Sequence, residues 1–156
     1  MKKKYLYVFI SLVVLVVIIS YYLTQPKSGK MLCTYNSKND NMIVEMRYEI
    51  TFKDKMVTSV DAKEVITSSD KKKLEEYKES LDMIYSIYND LKYYDIEVLI
   101  KDKSLITNAF INYKKIKKED FEEIDSSDKN LYKGNKIPLR KLKNKYKKNG
   151  AKCKYI

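Results

Sequence analysis

The sequence has 156 residues, with 32 lysines and arginines, 21 aspartates and glutamates, and no histidine. Histidine is the commonest general base and the commonest metal ligand, so its absence excludes the catalytic triads and zinc sites that depend on it. The net charge of +11 is uneven: residues 24–128 carry a net −3, whereas residues 129–156 hold eleven basic residues and no acidic one.

An uncharged run of nineteen residues, Tyr5–Leu23, lies near the amino terminus. As a helix it covers roughly 28 Å, close to the thickness of a hydrocarbon core. Three lysines precede it, which favours an amino terminus inside and the rest of the chain outside. We therefore predict a cytoplasmic stub over residues 1–4 and a transmembrane signal-anchor over residues 5–23 of a single-pass cell-membrane protein.

Two alternatives to an uncleaved anchor remain open, a cleaved signal peptide and a buried helix of a soluble domain. The apolar region of a signal peptide usually covers about 7–15 residues and ends in small residues of the A-x-A kind. Here the run is longer, and Ser20, Tyr21 and Tyr22 make a poor cleavage site. The anchor is therefore the preferred interpretation.

Residues 24–30 contain a proline and a glycine and predict a linker before a domain over residues 31–156. Met31–Tyr35 is a short strand candidate. Met42–Phe52 alternates between apolar and polar residues, which is typical of a strand with one buried face. A tight turn and a second apolar run over residues 56–66 complete a predicted hairpin.

The rest of the domain's sequence predicts two more helices and three more strands. In chain order the predicted segments are a helix over 71–91, a hairpin over 94–101 and 104–113, one or two helical turns over 116–125, a helix from Pro138 to Asn149 and a strand over 151–156. Strand runs interrupted by two helices indicate an α+β domain. We predict an antiparallel β-sheet with two helices packed on one face, preceded by a single N-terminal transmembrane helix.

Three segments resemble the YehR-like family of small bacterial envelope lipoproteins. They are ITFKDKMVTSVDAKEV at residues 50–65, INYKK at 111–115 and PLRKLKNKYKKNGAK at 138–152. They are similar to the family's ITYK-like strand, VT-containing return strand, VDY-like strand and closing LKK-helix-G segment, in the same order. The resemblance covers roughly residues 31–156 and implies an extracytoplasmic α+β domain. It implies no catalytic residues, because the family's function is unknown, and an uncleaved helix here replaces the lipid anchor.

Cys33 and Cys153 are the only cysteines, one in the first strand candidate of the domain and one in the last. In an oxidising compartment such a pair predicts a disulfide, and the alternative is two reduced, half-buried thiols. The bond would close a loop of about 120 residues, which the chain-entropy model values at roughly 4–5 kcal/mol. Two thiols without histidine predict no metal site, and no cofactor is predicted.

A basic carboxy-terminal segment lies mostly off the apolar seam of Leu139, Leu142 and Tyr146. It is the candidate contact for an anionic surface, either lipid headgroups or a wall polymer, and the alternative is a solvated lysine face. Nucleic acid is disfavoured because the predicted topology places the segment outside the cytoplasm. The candidate residues are Arg140, Lys141, Lys143, Lys145, Lys147, Lys148, Lys152 and Lys154.

Other clusters give weaker indications. The acidic residues Glu119, Asp120, Glu122, Glu123, Asp125 and Asp128 do not match the spacing of a calcium loop, so we expect a solvated turn. The tyrosines Tyr77, Tyr85, Tyr88, Tyr93 and Tyr94 are expected in the core rather than in an aromatic ligand platform. Serines such as Ser68, Ser69, Ser126 and Ser127 have no histidine to activate them, which leaves only a Ser/Lys pair as a route to a nucleophile.

These patterns together predict a non-catalytic binding or structural protein of the bacterial cell envelope. The main alternative is a binder of anionic envelope polymers or lipid headgroups through the basic carboxy-terminal segment. An enzyme that works without histidine is the minor alternative.

Overall fold

The structure of the protein, a computed structural model, describes residues 2–24, 26–39, 42–86, 88, 91–117, 120, 130–134 and 136–156. Among these residues there are three helices and six strands. In chain order they are α1 (Lys2–Thr24), β1 (Gly29–Asn39), β2 (Met42–Lys53), β3 (Met56–Ser68), α2 (Lys71–Ser86), β4 (Tyr94–Lys101), β5 (Ser104–Ile111), α3 (Leu139–Lys148) and β6 (Lys152–Tyr155).

The six strands form one antiparallel sheet in the order β4-β5-β3-β2-β1-β6. The predicted antiparallel α+β domain is therefore confirmed. The first strand is longer than Met31–Tyr35, because it pairs with β2 from Gly29 opposite Phe52 to Asn39 opposite Met42. Hydrogen bonds to a neighbouring strand thus overcome the turn preference of its last residues.

Both domain helices, α2 and α3, cover the same face of this sheet. Tyr48 of β2 stacks on Tyr146 of α3 with 4.3 Å between ring centroids. Glu64 of β3 lies on the same face as Tyr48, since alternate residues of paired strands share a face, and it interacts electrostatically with Tyr85 of α2. The largest buried cluster lies under α3 and includes Met31, Cys33, Ile50, Phe52, Val60, Leu139 and Leu142.

The opposite face of the sheet is open, and three of its charged residues interact with one another. Glu49 accepts a hydrogen bond from Lys30 and lies 3.5 Å from a guanidinium nitrogen of Arg47. The Lys30 hydrogen bond, with the smaller contribution of Arg47, lowers the pKa of the Glu49 carboxyl.

The predicted transmembrane helix is wrong, and with it the membrane and signal-anchor assignments. None of the helices in the described part of the chain is long and apolar enough to cross a membrane.

Cys33 and Cys153 lie directly opposite each other in β1 and β6 and are joined by a disulfide. Cys33 is completely buried, with 0 % of its surface exposed. Strand β6 has only four residues, so few backbone hydrogen bonds hold it to the sheet edge. The disulfide therefore links the carboxy-terminal end of the chain covalently to the start of the domain.

Helix α2 begins at a capped end and packs less completely than α3. The backbone N–H of Lys73 donates to a side-chain oxygen of Asp70 at 3.0 Å, as an N-cap does. Only Leu74 of α2 is buried, and Met83 and Ile84 are 76 % and 56 % exposed. The predicted apolar stripe along α2 is therefore only partly buried in the described structure.

The tyrosines at the α2 end pack against one another. The rings of Tyr88 and Tyr94 stack at 4.6 Å, and Tyr85 contacts Tyr88 at 6.1 Å. Glu64 is half-buried near this cluster, and burial raises the pKa of its carboxyl. Burial, followed by the Glu64 charge, raises the pKa values of Tyr48 and Tyr85. Glu64 is thus a desolvated carboxyl between the two helices.

Removing the disulfide by the double substitution C33A/C153A should destabilise the protein strongly. The two cysteines are separated by 120 residues, and releasing a loop of this length costs roughly 4–5 kcal/mol of unfolding free energy. Urea unfolding followed by circular dichroism measures the loss. Wild-type protein refolded with a reductant is the control and should unfold near the variant. Equal midpoints for oxidised and reduced wild-type protein would contradict this role.

The substitution E64Q should stabilise the protein at neutral pH more than at acidic pH. The folded-state pKa of Glu64 is raised above its ordinary value of 4.5. The folded state therefore holds the proton more tightly, and stability is lost as the pH rises from the unfolded pKa through the folded one. Urea unfolding from about pH 4 to about pH 7 should show the E64Q advantage growing with pH.

The exposed residue Glu45 offers a matched control, because E45Q removes the same charge from the open face. An E64Q advantage that stays constant or shrinks as the pH rises would show that desolvation does not govern this carboxyl.

Candidate anion-binding groove

The turn between β2 and β3 has an unusual backbone. Asp54 and Lys55 both adopt positive φ angles, 53° and 60°. Two consecutive left-handed residues are typical of a type I′ hairpin turn, which matches the twist of the strands but usually employs asparagine and glycine. Lys55 therefore lies at the tip of the hairpin, beyond the paired residues of β2 and β3.

Three backbone hydrogen bonds hold this turn against two other segments. The Lys55 N–H donates to the carbonyl of Lys27 at 2.8 Å, and the Leu139 N–H donates to the carbonyl of Lys55 at 2.9 Å. The Val57 N–H donates to the carbonyl of Ile137 at 2.9 Å. The linker before β1, the β2–β3 turn and the start of α3 therefore form one connected unit.

Helix α3 follows from its local sequence. Pro138, with φ near −62°, precedes the first helical residue, and Leu139 and Leu142 are buried against the sheet. The helix ends at Asn149, and Gly150 then has a φ of +86°. A Cβ on Gly150 would lie 3.1 Å from the Tyr35 ring, so a side chain there would strain the backbone and crowd that ring.

The cations of α3 divide between two flanks of the helix. Residues spaced three and four apart share a helical face. Arg140, Lys143 and Lys147 therefore lie on one side of the buried seam, and they line the groove described next. Helix α3 contains no acidic residue that could neutralise them.

The groove lies between the first flank of α3 and the β2–β3 turn and has a volume of about 460 Å³. Five cations line it, namely Lys55, Lys133, Arg140, Lys143 and Lys147. The other described lining residues are Asn144 and the largely apolar Pro26, Met56, Pro138, Leu139 and Tyr155. No carboxylate is among them, so every charged residue in the described groove wall is positive.

Tyr155 connects the groove to the disulfide. Its ring lies beneath the ammonium group of Lys143, with Nζ 4.9 Å from the ring centroid, which is a cation–π distance. Tyr155 also contacts Phe52 in the core, at 5.9 Å between centroids. Because Cys153 is two residues away in the same strand, the disulfide helps to hold this part of the groove in place.

The groove cations have no carboxylate partners in the described part of the chain. The salt bridges found there involve Lys30, Arg47, Lys71, Lys72 and Lys78 instead. Unpaired like charges in a concave surface concentrate positive potential and attract anions. The groove is therefore the strongest candidate for a functional site among the described surfaces.

The structure distributes the eight predicted contact residues over three surfaces. Arg140, Lys143 and Lys147 line the groove, whereas Lys141, Lys145 and Lys148 line a shallower cavity on the other flank of α3. The remaining two are Lys152 and Lys154.

Lys141 stabilises the fold, since its Nζ donates to the carbonyls of Asn130 at 2.6 Å and Tyr132 at 3.1 Å. Lys152 and Lys154 alternate with Cys153 and Tyr155 and lie on the open face of the sheet. A single surface made of all eight residues does not form.

Two groove residues, Lys55 and Lys133, were missed at the sequence level. Lys55 belongs to a hairpin turn 85 residues before Arg140, and Lys133 precedes α3 in a polar loop. The only local signal was the absence of acidic residues after residue 128. No periodicity relates the turn to the helix, because their proximity arises from backbone hydrogen bonds between distant segments.

The other candidates do not form a site in the described structure. Of the acidic cluster only Asp120 is described, and its carboxylate accepts a hydrogen bond from the Lys117 N–H at 3.0 Å. Its other members, together with Ser126 and Ser127, lie outside the described residues. The Ser68 hydroxyl accepts a bond from the Asp70 N–H at the start of α2. Within the described ranges, no three His, Cys, Asp or Glu residues stand close enough to hold a metal ion.

Comparison with known proteins indicates the fold. No family model matches the chain, and no curated protein matches it in sequence. The NMR structure of the E. coli YehR protein is similar with a TM-score of 0.56 and 12% identity, over 84% of this chain and 95% of that one. An NMR structure of a protein from Streptococcus pneumoniae TIGR4 has a TM-score of 0.48 and 19% identity, over 80% and 83% of the two chains. The similarity to the E. coli structure supports a YehR-like fold for this chain.

Proposed function

We propose that this protein is a non-catalytic binding domain of the bacterial cell envelope, located outside the cytoplasm, that holds phosphate-bearing anions in the groove beside α3. The observation that carries the proposal is the presence of five cations and no carboxylate among the described residues of one groove. Phosphate groups are abundant both in anionic envelope polymers and in lipid headgroups, and the two sources share the chemistry that this groove would recognise.

The groove combines two modes of anion recognition. Arg140 offers a planar guanidinium that can donate two parallel hydrogen bonds to phosphate oxygens, whereas the lysines act as point charges. The adjoining apolar wall of Met56, Leu139 and Tyr155 favours a ligand that also has carbon segments between its phosphates. These features support binding of a phosphate ester rather than of a simple halide.

The conformation of Lys55 also supports a binding role. A long side chain at positive φ is uncommon and costs of order 1–3 kcal/mol. Glycine or asparagine would form this turn more easily. Lys55 brings one of the five cations to the groove, so the strain coincides with a contribution to the site.

The composition of the groove supports binding rather than catalysis. Its described wall has no carboxylate, thiol or aliphatic hydroxyl. It therefore lacks the pairing of a nucleophile with an activating base that covalent catalysis uses.

Two observations support a location outside the cytoplasm. The Cys33–Cys153 disulfide is of the kind that persists in oxidising compartments. The resemblance to the YehR-like family of envelope lipoproteins, which covers roughly residues 31–156, also favours this location.

Neutralising the three groove cations of α3 by R140Q/K143Q/K147Q should weaken the binding of linear polyphosphate by on the order of tenfold or more at moderate salt. Each lost phosphate contact also removes the entropy of counterion release, so the dependence of affinity on salt should become shallower. Isothermal titration calorimetry at several salt concentrations measures both effects.

The matched control is K152Q/K154Q, which removes two charges of the same segment from the opposite face of the sheet. It should leave the affinity nearly unchanged. If the control weakens binding as much as the groove variant, net charge rather than the groove is responsible.

Sedimentation with vesicles of phosphatidylglycerol and phosphatidylcholine distinguishes a headgroup source from a polymer source.

The substitution K55G should change stability and affinity in opposite directions. Glycine adopts φ of 60° without strain, so the free energy of unfolding should rise by up to about 1 kcal/mol. Loss of the Lys55 ammonium should weaken polyphosphate binding several-fold. Urea unfolding and calorimetry on the same preparation measure both. If the variant is more stable and binds polyphosphate as well as the wild type, Lys55 does not contribute to the site.

A further inference from the structure

We infer that the ligand is a linear polyanion that runs through the groove and continues into cavities on both sides of it. This inference rests on the proposed function and specifies its ligand as a chain rather than a single phosphate or a bilayer surface. The groove is the middle member of three adjoining cavities, and cations line all three.

The first adjoining cavity lies on the far side of the β2–β3 turn. Its volume is about 260 Å³, and its cations are Lys53, Lys114 and Lys136. Asp54 is the one carboxylate among its described lining residues. Met56 lines both this cavity and the groove, so a single side chain separates the two.

A short backbone pairing also connects these two cavities. The N–H of Lys133 donates to the carbonyl of Lys136 at 2.8 Å, and the reverse bond measures 3.4 Å. Lys133 lines the groove and Lys136 lines the cavity beyond the turn. One short backbone pairing therefore supplies a lysine to each of the two cavities.

The second adjoining cavity lies on the other flank of α3. It has a volume of about 380 Å³, its cations are Lys141, Lys145 and Lys148, and Asn144 is shared between it and the groove. No carboxylate is among its described lining residues. The positive surface therefore continues around the exposed side of the helix.

The arrangement favours a flexible chain over the other sources of phosphate. A single phosphate ion can contact only one of the three cavities at a time. A planar bilayer can lie against one flank of α3, but Arg140 and Lys147 on one flank and Lys148 on the other point in different directions. A polymer with repeated phosphate groups can bend around the helix and engage all three.

The test compares probes of increasing chain length on the full-length oxidised protein. The probes are inorganic phosphate, tripolyphosphate, a long linear polyphosphate, and vesicles of phosphatidylglycerol and phosphatidylcholine. We expect affinity per molecule to increase by at least on the order of a hundredfold from tripolyphosphate to the long chain. The slope of log affinity against log salt should also steepen, because more counterions are released.

The variant K53Q/K114Q isolates the outer cavity from the groove. Both side chains are exposed, and neither lines the groove. It should weaken the binding of long polyphosphate by about tenfold and leave the affinity for tripolyphosphate unchanged, since only the long chain reaches across the turn. The control K152Q/K154Q, on the opposite face, should change neither.

Three outcomes separate the inference from the function on which it rests. Equal affinities for tripolyphosphate and the long chain would overturn the inference while the groove remains an anion site. Tighter binding to the vesicles than to the long chain would overturn it in favour of headgroups. If no probe binds and R140Q/K143Q/K147Q changes nothing, the proposed function itself fails.

Discussion

The pairing of β6 with β1, closed by the Cys33–Cys153 disulfide, is the constraint on which the candidate site depends. Four residues at a sheet edge hold a strand weakly, yet this strand carries Tyr155 and directly follows α3. The disulfide keeps both against the start of the domain. Burial of Leu139 and Leu142 then fixes the rotation of α3, and this rotation determines which cations line the groove.

The distribution of charge is as informative as the fold. On the open face Glu49 is paired with Lys30 and Arg47, so these two cations have a carboxylate partner. Beside α3 five cations share one concave wall without a described carboxylate. Like charges brought together reduce stability, and here the apolar cluster beneath the helix offsets that cost. Such a local conflict between charge and stability is typical of a binding surface.

The two ends of the covered face differ in chemistry. Under α3 the packing is apolar and closed by the disulfide, and the charges lie on the outer surface of the helix. Under α2 a desolvated carboxyl, Glu64, lies near stacked tyrosines, and burial raises its pKa. The α3 end therefore combines a rigid base with an exposed cationic surface, which is the combination that a preorganised anion site requires.

The sequence by itself determined the local elements and the kind of charge in the last segment. Alternation over Met42–Phe52 predicted β2 because one side of the strand faces a core, and Pro138 and Gly150 marked the ends of α3. The even pair of cysteines predicted the disulfide that the structure contains. The apolar run near the amino terminus predicted a transmembrane helix, and this prediction is wrong for the described residues.

Only the tertiary structure decided which cations act together. Lys55 and Lys133 join the groove because backbone hydrogen bonds bring the β2–β3 turn to the start of α3. Lys152 and Lys154 do not line the groove because the pleat of β6 places them on the opposite face of the sheet. Charge composition is a local property that a sequence displays, whereas the shape of a charged surface depends on contacts between residues far apart in the chain.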